Sequence, residues 1–354
     1  MTQVDNEHQG SKMMSRQKLL LVRYNELGLK SPRVRRRFQR KLVENIENGF
    51  MNENLECIID SQWGRILVHT EGLEKGVEVL TRIFGVSSVS VAEWGDGGLE
   101  KIIDSAVDYA GTMLRKGHRF AIRARRYGQH DFTSMELAEK IGTRVLDKYK
   151  ELELGVKLKG ADVEIHVEVR HKNFYLFSER HPGVGGLPLG TQGRVLGIYE
   201  NDTSFLAWWL IMKRGATVIP IYLTEHEIPP GQDPFKMIDD DDFKENFKEF
   251  QRWSPGIKLR TYMQEKTLVD GSGDGNRSIF STYLELMNNL SGFYKADGIV
   301  SGIGIETFTR ELEAFGRENL SEHPIFFPLI GLDKEDVAVL KNTILRGTKL
   351  PSER

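Results

Sequence analysis

From Val34 onward the apolar residues return at every fourth place: Val34, Phe38, Leu42, Ile46 and Phe50. That spacing gives a helix one dry side, and Pro32, whose fixed φ suits a first turn, predicts where the helix opens. Ahead of it, Leu19–Val22 predicts a short strand. Behind it, Arg65–His69 predicts a second strand and Leu73–Phe84 a helix stopped at Gly85. Strand and helix alternate here as in a small α+β domain, with helices on one face of a sheet.

The next block has a similar grain. Val86–Val91 predicts a strand, Leu99–Leu114 a helix, and Arg119–Arg125 a strand of period two. Thr133 and Glu136 have the spacing of a capping box for a helix reaching Tyr149. Val163, Ile165, Val167 and Val169 alternate with Glu164, His166, Glu168 and Arg170, which predicts a half-buried strand paired with 173–177. A glycine-rich connector follows, PGVGGLPLGTQG over 182–193. Beyond it, strands at 195–199, 217–223, 257–262, 298–301 and 325–327 alternate with helical patterns, notably Ser204–Arg214 ending at Gly215. That order predicts a doubly wound parallel α/β sheet.

Composition narrows the class. The chain has 354 residues, 39% hydrophobic and 28% charged, which predicts two or three globular domains. Its longest apolar stretch, Phe205–Met212, is less than half of the ~20 residues a membrane helix needs, so no membrane partner is expected. The polar first residues, 1–17, read as a disordered tail without a secretory h-region. One cysteine, Cys57, excludes an internal disulfide and an all-cysteine metal site, and fits a cytoplasmic setting. Cys57 stands in the apolar run CII and reads as a packed thiol. Histidines show no ligand spacing, so no metal is expected.

The net charge of −2 hides an asymmetry. Between Lys12 and Lys41 there are eleven Lys or Arg and one acid, Glu26, whereas Asp239–Asp242 is an acidic run. On the helical wheel Arg33, Arg36, Arg37 and Arg40 lie opposite the apolar stripe, with Arg35 beside it. Guanidiniums crowded on one face favour an anion, and their planar fork matches phosphate oxygens. The bland alternative is a solvated face paired with acids elsewhere. A second basic group, Arg123, Arg125 and Arg126, closes a strand before Tyr127, which could stack on an unpaired base.

Several segments then become recognisable. YNELGLK over 24–30, the Arg36-Arg37-Phe38 and LVENI segments, RILV at 65–68, IFGVSS at 83–88, GVGGLPLG at 183–190, MKRG at 212–215 and PLIGLDKE at 328–335 resemble, in order, the tRNA 4-thiouridine synthetase family. The resemblance implies α/β multidomain architecture: a ferredoxin-like α+β domain at 18–75, a THUMP RNA-binding domain at 76–182, a linker at 183–193 and a doubly wound PP-loop-like domain at 194–354. It also implies tRNA as partner, a homodimer, and ATP for adenylating a uridine before sulfur arrives through cysteine. Lys30 joins Arg33, Arg36, Arg37, Arg40, Arg123, Arg125, Arg126 and Tyr127 as an expected RNA contact.

The departures fall on the chemistry. Where the family has Ser-Gly-Gly-x-Asp-Ser, this chain has Tyr199, Glu200, Asn201, Asp202, Thr203 and Ser204. The missing glycines would let backbone N–H groups close on phosphate. Glu200 and Asp202 add charge of the wrong sign; two unit charges ~5 Å apart cost ~3 kcal/mol at an effective dielectric of 20. Asp202, Thr203 and Ser204 read instead as caps of the following helix. The segment 279–283, IFSTY, lacks the family's cysteine, Ile303 stands in place of an acid, and the glycines at 271, 273 and 275 read as a loop. Three readings follow. The first is a tRNA-binding protein without adenylation, cofactor-free, presenting tRNA or assisting a separate modifying enzyme. The second is an active sulfurtransferase with an external sulfur donor. The third is a small-molecule site in the last domain.

Overall fold

The computed structural model describes residues 17–24, 31–224, 232–254, 256–263, 279–315 and 323–347. Residues 1–16, Lys30 and the glycines at 271, 273 and 275 lie outside them. The chain forms two compact units: the described residues up to Leu21 with Ser90–Arg180, and Val22–Val89 with His181 onward.

β1 (Lys18–Arg23) is followed by α1 (Pro32–Asn52), β2 (Ile58–Gln62), β3 (Arg65–His69) and α2 (Leu73–Arg82). The four-residue stripe of α1 is its dry side: Phe38, Leu42, Ile46 and Phe50 are buried, each contributing about 1.5–3 kcal/mol. α1 and α2 pack closely, for a Cβ on Gly49 would stand 3.0 Å from Val79 and 3.1 Å from Ile83. β2 has no apolar alternation, and Ile58 is 74% exposed. Its strand form comes from antiparallel pairing with β3, Ile59 opposite Val68, a contact that no residue pattern announces. Cys57 accordingly sits half-buried beside an outward-facing isoleucine rather than in a core.

In the first unit β4 (Ser88–Asp96), α3 (Leu99–Gly111), β5 (Arg119–Tyr127), α4 (Ser134–Lys148), β6 (Gly155–Val156), β7 (Val163–Arg170) and β8 (Asn173–Phe177) follow in order. The strands neighbour as β4–β8–β7–β5–β6, and β5 runs parallel to β7. Ile102, Ala106, Leu137, Ile141 and Val145 of the two helices pack against Phe120, Ile165 and Val167. The capping box forms as read: Thr133 accepts from the Glu136 N–H at 3.1 Å, and the Glu136 carboxylate accepts from Thr133 N–H at 2.7 Å. β7 departs from expectation. Its polar members Glu168 and Arg170 are buried, and they pair with each other at 3.0 Å.

β9 (His181–Pro182) leads into the glycine-rich run, which is hydrogen-bonded along its length in the second unit. Leu187 N–H donates to the Lys213 carbonyl and Gly190 N–H to the Gly215 carbonyl, both at 2.9 Å. Then come β10 (Arg194–Ile198), α5 (Thr203–Lys213), β11 (Thr217–Thr224), α6 (Pro234–Met237), α7 (Asp241–Gln251), β12 (Arg260–Met263), α8 (Ile279–Tyr294), β13 (Gly298–Val300), α9 (Ile305–Phe315), β14 (Ile325–Phe326) and α10 (Lys334–Arg346). The sheet is parallel in order β12–β11–β10–β13–β14. α5, α7 and α10 share one core, with Phe205, Trp208, Phe243, Phe247, Phe250 and Ile344 inside. On the other core, Tyr283 and Leu286 of α8 meet Leu196 and Ile299. α5 reaches the sheet because position 197 is glycine: a Cβ there would lie 2.6 Å from Val218 and 2.7 Å from the Trp208 ring. The strand order reverses between β10 and β13, where sheets of this kind bind ligands at the strands' carboxyl ends.

Candidate functional site

On α1, Arg33, Arg36, Arg37 and Arg40 are exposed, as the helical wheel predicts. Arg36 Nε donates to the Pro32 carbonyl at 3.3 Å and Arg37 to the Thr191 carbonyl at 3.3 Å. None of the four forms an ion pair with a described carboxylate. Arg35 has a use the sequence did not reveal. Its guanidinium lies 3.5 Å from the ring centroid of Trp63, which stands in the β2–β3 turn and is 51% exposed.

In the other unit the three strand-end arginines part company. Arg123 is spent internally, bonded to Glu164 and to the Leu158 carbonyl. Register explains it: Arg123 lies opposite His166, so Glu164 is its diagonal neighbour across β5 and β7. Arg125 and Arg126 are exposed beyond that reach. Tyr127 is 41% exposed, edge-on to His171 at 5.6 Å and under the Arg170 guanidinium at 4.8 Å.

The turn from β10 into α5 is built from side chains that bond to one another. Ser204 Oγ accepts the N–H of Glu200 at 3.0 Å and of Asn201 at 3.4 Å. Asn201 Oδ1 accepts Thr203 N–H at 2.8 Å, and the Thr203 hydroxyl donates to the Gly302 carbonyl at 2.7 Å. Asp202 does not cap α5. It turns away to Lys341 Nζ at 2.8 Å and Asn246 Nδ2 at 2.9 Å. The expected capping by Asp202, Thr203 and Ser204 is therefore corrected: Asn201 serves the free N–H of the helix, and a lysine and an amide on α10 and α7 claim the aspartate.

Glu200 reaches across to the end of β13. The Tyr283 hydroxyl and Ser301 Oγ are 2.8 Å apart, Ser301 donates to one Glu200 oxygen at 3.0 Å, and Gly302 N–H donates to the other at 3.0 Å. The approach needs glycine at 302, since a Cβ would stand 2.5 Å from Ser204 N. Burial pushes the Glu200 carboxyl up to about 7, although both hydrogen bonds favour its ionised form. The expectation of two carboxylates facing a bound triphosphate is corrected to one, because Asp202 is neutralised by Lys341. Neither partner was legible beforehand, as Ser301 and Lys341 are 101 and 139 residues distant in sequence.

Over these strand ends lies a cavity of about 700 Å³. Tyr199 and Tyr222 stack in its wall, centroids 5.5 Å apart and planes at 14°. Leu223, Ile303, Leu329 and Leu332 supply apolar surface. Among the described residues its ionisable lining is Glu200, Asp240, Glu306 and Asp333 against Lys334. Burial first, then the Asp202 and Asp240 carboxylates, raise the Tyr199 hydroxyl; burial and Asp240 push Tyr222 up to about 12. Cys57, the sole cysteine, has its thiol pushed up by burial and by Glu47.

Comparison with known proteins agrees with this architecture. The family model of the ThiI ferredoxin-like domain matches residues 19–90, and that of the THUMP domain matches 98–179. A Methanothermobacter thermautotrophicus protein named "Probable tRNA sulfurtransferase" is 31% identical over 345 residues, 92% of this chain and 84% of its own. A Thermoplasma volcanium tRNA sulfurtransferase is 30% identical over 92% of this chain and 67% of its own. Among solved structures, a Pyrococcus horikoshii protein has a TM-score of 0.69 at 28% identity, covering 92% of this chain and 98% of that one. A 4-thiouridine synthetase–RNA complex with bound ATP has the same fold, with a TM-score of 0.69 at 21% identity over 93% and 85% of the two chains. The chain belongs to the tRNA sulfurtransferase family.

Proposed function

We propose that this family member binds tRNA and does not adenylate it. Its RNA contacts are Arg33, Arg36, Arg37 and Arg40 on α1, with Lys30 before them, and Arg125, Arg126 and Tyr127 at the end of β5; Arg123 is withdrawn from that set by Glu164. The THUMP match and the RNA held by a neighbour of like fold support tRNA as the partner. Each phosphate neutralised by an unpaired arginine releases a condensed counterion, which favours binding at low salt.

The observation that carries the reading is Glu200. Its carboxylate takes the Ser301 hydroxyl and the Gly302 N–H at the carboxyl end of β10, beside the reversal of strand order where sheets of this kind bind ligands. The residues present do not fit ATP. The N–H groups of Glu200, Asn201 and Thr203 are given to Ser204 and Asn201 side chains, and the one lining cation among the described residues, Lys334, is 3.9 Å from Glu306. No described cysteine stands near the cavity to pass sulfur.

The test is tRNA binding at several salt concentrations, beside ATP titration. Reversing Arg36, Arg37 and Arg40 to Glu should weaken tRNA binding by roughly a hundredfold or more at low salt and flatten its salt dependence. Unchanged affinity in that variant would make α1 a solvated face only. Tight ATP binding, or thiolated uridine formed with ATP and an external sulfur donor, would restore the enzyme reading that the relatives' names favour.

A further inference from the structure

We propose that the cavity over β10, β11 and β13 is a binding site for a small organic cation, an amine- or guanidinium-bearing compound. The proposal rests on the reading that ATP has no place there. A volume of about 700 Å³ suits a small molecule, and the site lies at the reversal of strand order where such sheets bind ligands.

Helix N-termini ordinarily make such a place attractive to anions. Here the chain's own oxygens have taken those positions. Asp240 accepts Phe243 N–H at 2.9 Å at the start of α7, and Asp333 accepts Asp336 N–H at 2.8 Å at the start of α10. Asn201 does the same for α5, and Glu306 stands in the first turn of α9. What remains for a ligand, among the described residues, is a wall with the Asp240, Glu306 and Asp333 carboxylates and one ammonium, Lys334, itself beside Glu306. The acidic run of the sequence lies at the same wall: Asp240 lines the cavity, and Asp242 is near enough to act on Tyr199.

The uncharged part of the lining points the same way. Tyr199 and Tyr222, stacked at 5.5 Å, offer aromatic faces and edges within reach of the Asp240 carboxylate, to which the Tyr222 hydroxyl donates at 3.3 Å. Aromatic faces beside carboxylates attract ammonium and guanidinium groups. Leu223, Ile303 and Leu329 can cover a methylene stem.

The experiment is calorimetric titration of RNA-free, full-length protein with agmatine and with spermidine, and in parallel with adenosine and ATP. Both cations should bind at micromolar to millimolar concentration and both nucleotides should be silent. Asp240→Asn keeps an N-cap but removes a charge, and should weaken the cations about tenfold. Glu151→Gln, an exposed acid of the other unit, should change nothing. Silence of both cations overturns the proposal and leaves the loss of ATP standing. Cation binding unaffected by Asp240→Asn, or adenosine binding with the cations silent, overturns it too. ATP binding to the unmodified protein removes the reading beneath it.

Discussion

The Glu200 carboxyl is enclosed between the turn after β10 and the end of β13, and so holds its proton to about pH 7 rather than its ordinary 4.5. Between those values the folded chain binds more protons than the unfolded one, so stability falls as pH rises. This contribution is complete below about 4.5 and gone once pH has risen through about 7, a loss of about 1–3 kcal/mol. Glu200→Gln keeps one acceptor, for Gly302 N–H, and turns an amide N–H toward Ser301 Oγ, which can accept it. It should abolish that slope, as urea unfolding at pH 5 and pH 8 would show. Equal slopes in both proteins would mean the carboxyl is solvated. At this scale the sequence was least legible. The residue types at 199–204 showed a departure from the family's glycine pattern, but not that Asp202 would answer to Lys341 or that Arg123 would be claimed by Glu164. Those partners come from register and from distant helices.

The elements were far more legible, because burial imposes a period. The four-residue stripe of α1 and the apolar strands β10 and β11 are direct prints of the faces they bury, whereas β7 buries Glu168 and Arg170 along with the valines that alternate with them. β2 escaped because backbone pairing alone makes it a strand. The β10–α5 turn carries a prediction of its own. Replacing Tyr199→Ser, Glu200→Gly, Asn201→Gly and Thr203→Asp rebuilds the family pattern and frees backbone N–H groups. ATP should then bind measurably, without thiolation. It should also cost stability, because Tyr199 lies 4.5 Å from Phe243 between centroids and Thr203 holds the Gly302 carbonyl. Thermal unfolding of the variant should come about 4–8 °C lower, or more, if ~2 kcal/mol is lost. No ATP affinity in a folded variant would place the defect beyond the loop.

For the whole molecule, the order of segments along the chain disclosed the family before any single motif could, since a shared fold preserves order even where single motifs differ. Oligomeric state is not written in any residue pattern. We expect a homodimer from the resemblance, and light scattering at micromolar protein checks it; a mass near 40 kDa would count against it. One tie spans the last domain. Asp202, at the start of α5, holds Lys341 of α10 across 139 residues of sequence, so one carboxylate fastens α10 to the turn between β10 and α5. Loosening at either end should be felt at the other. In Lys341→Ala, deuterium uptake should quicken at the amides of 200–206 as well as in α10, while the strands keep their protection. Uptake confined to α10 would show that the latch holds nothing but itself.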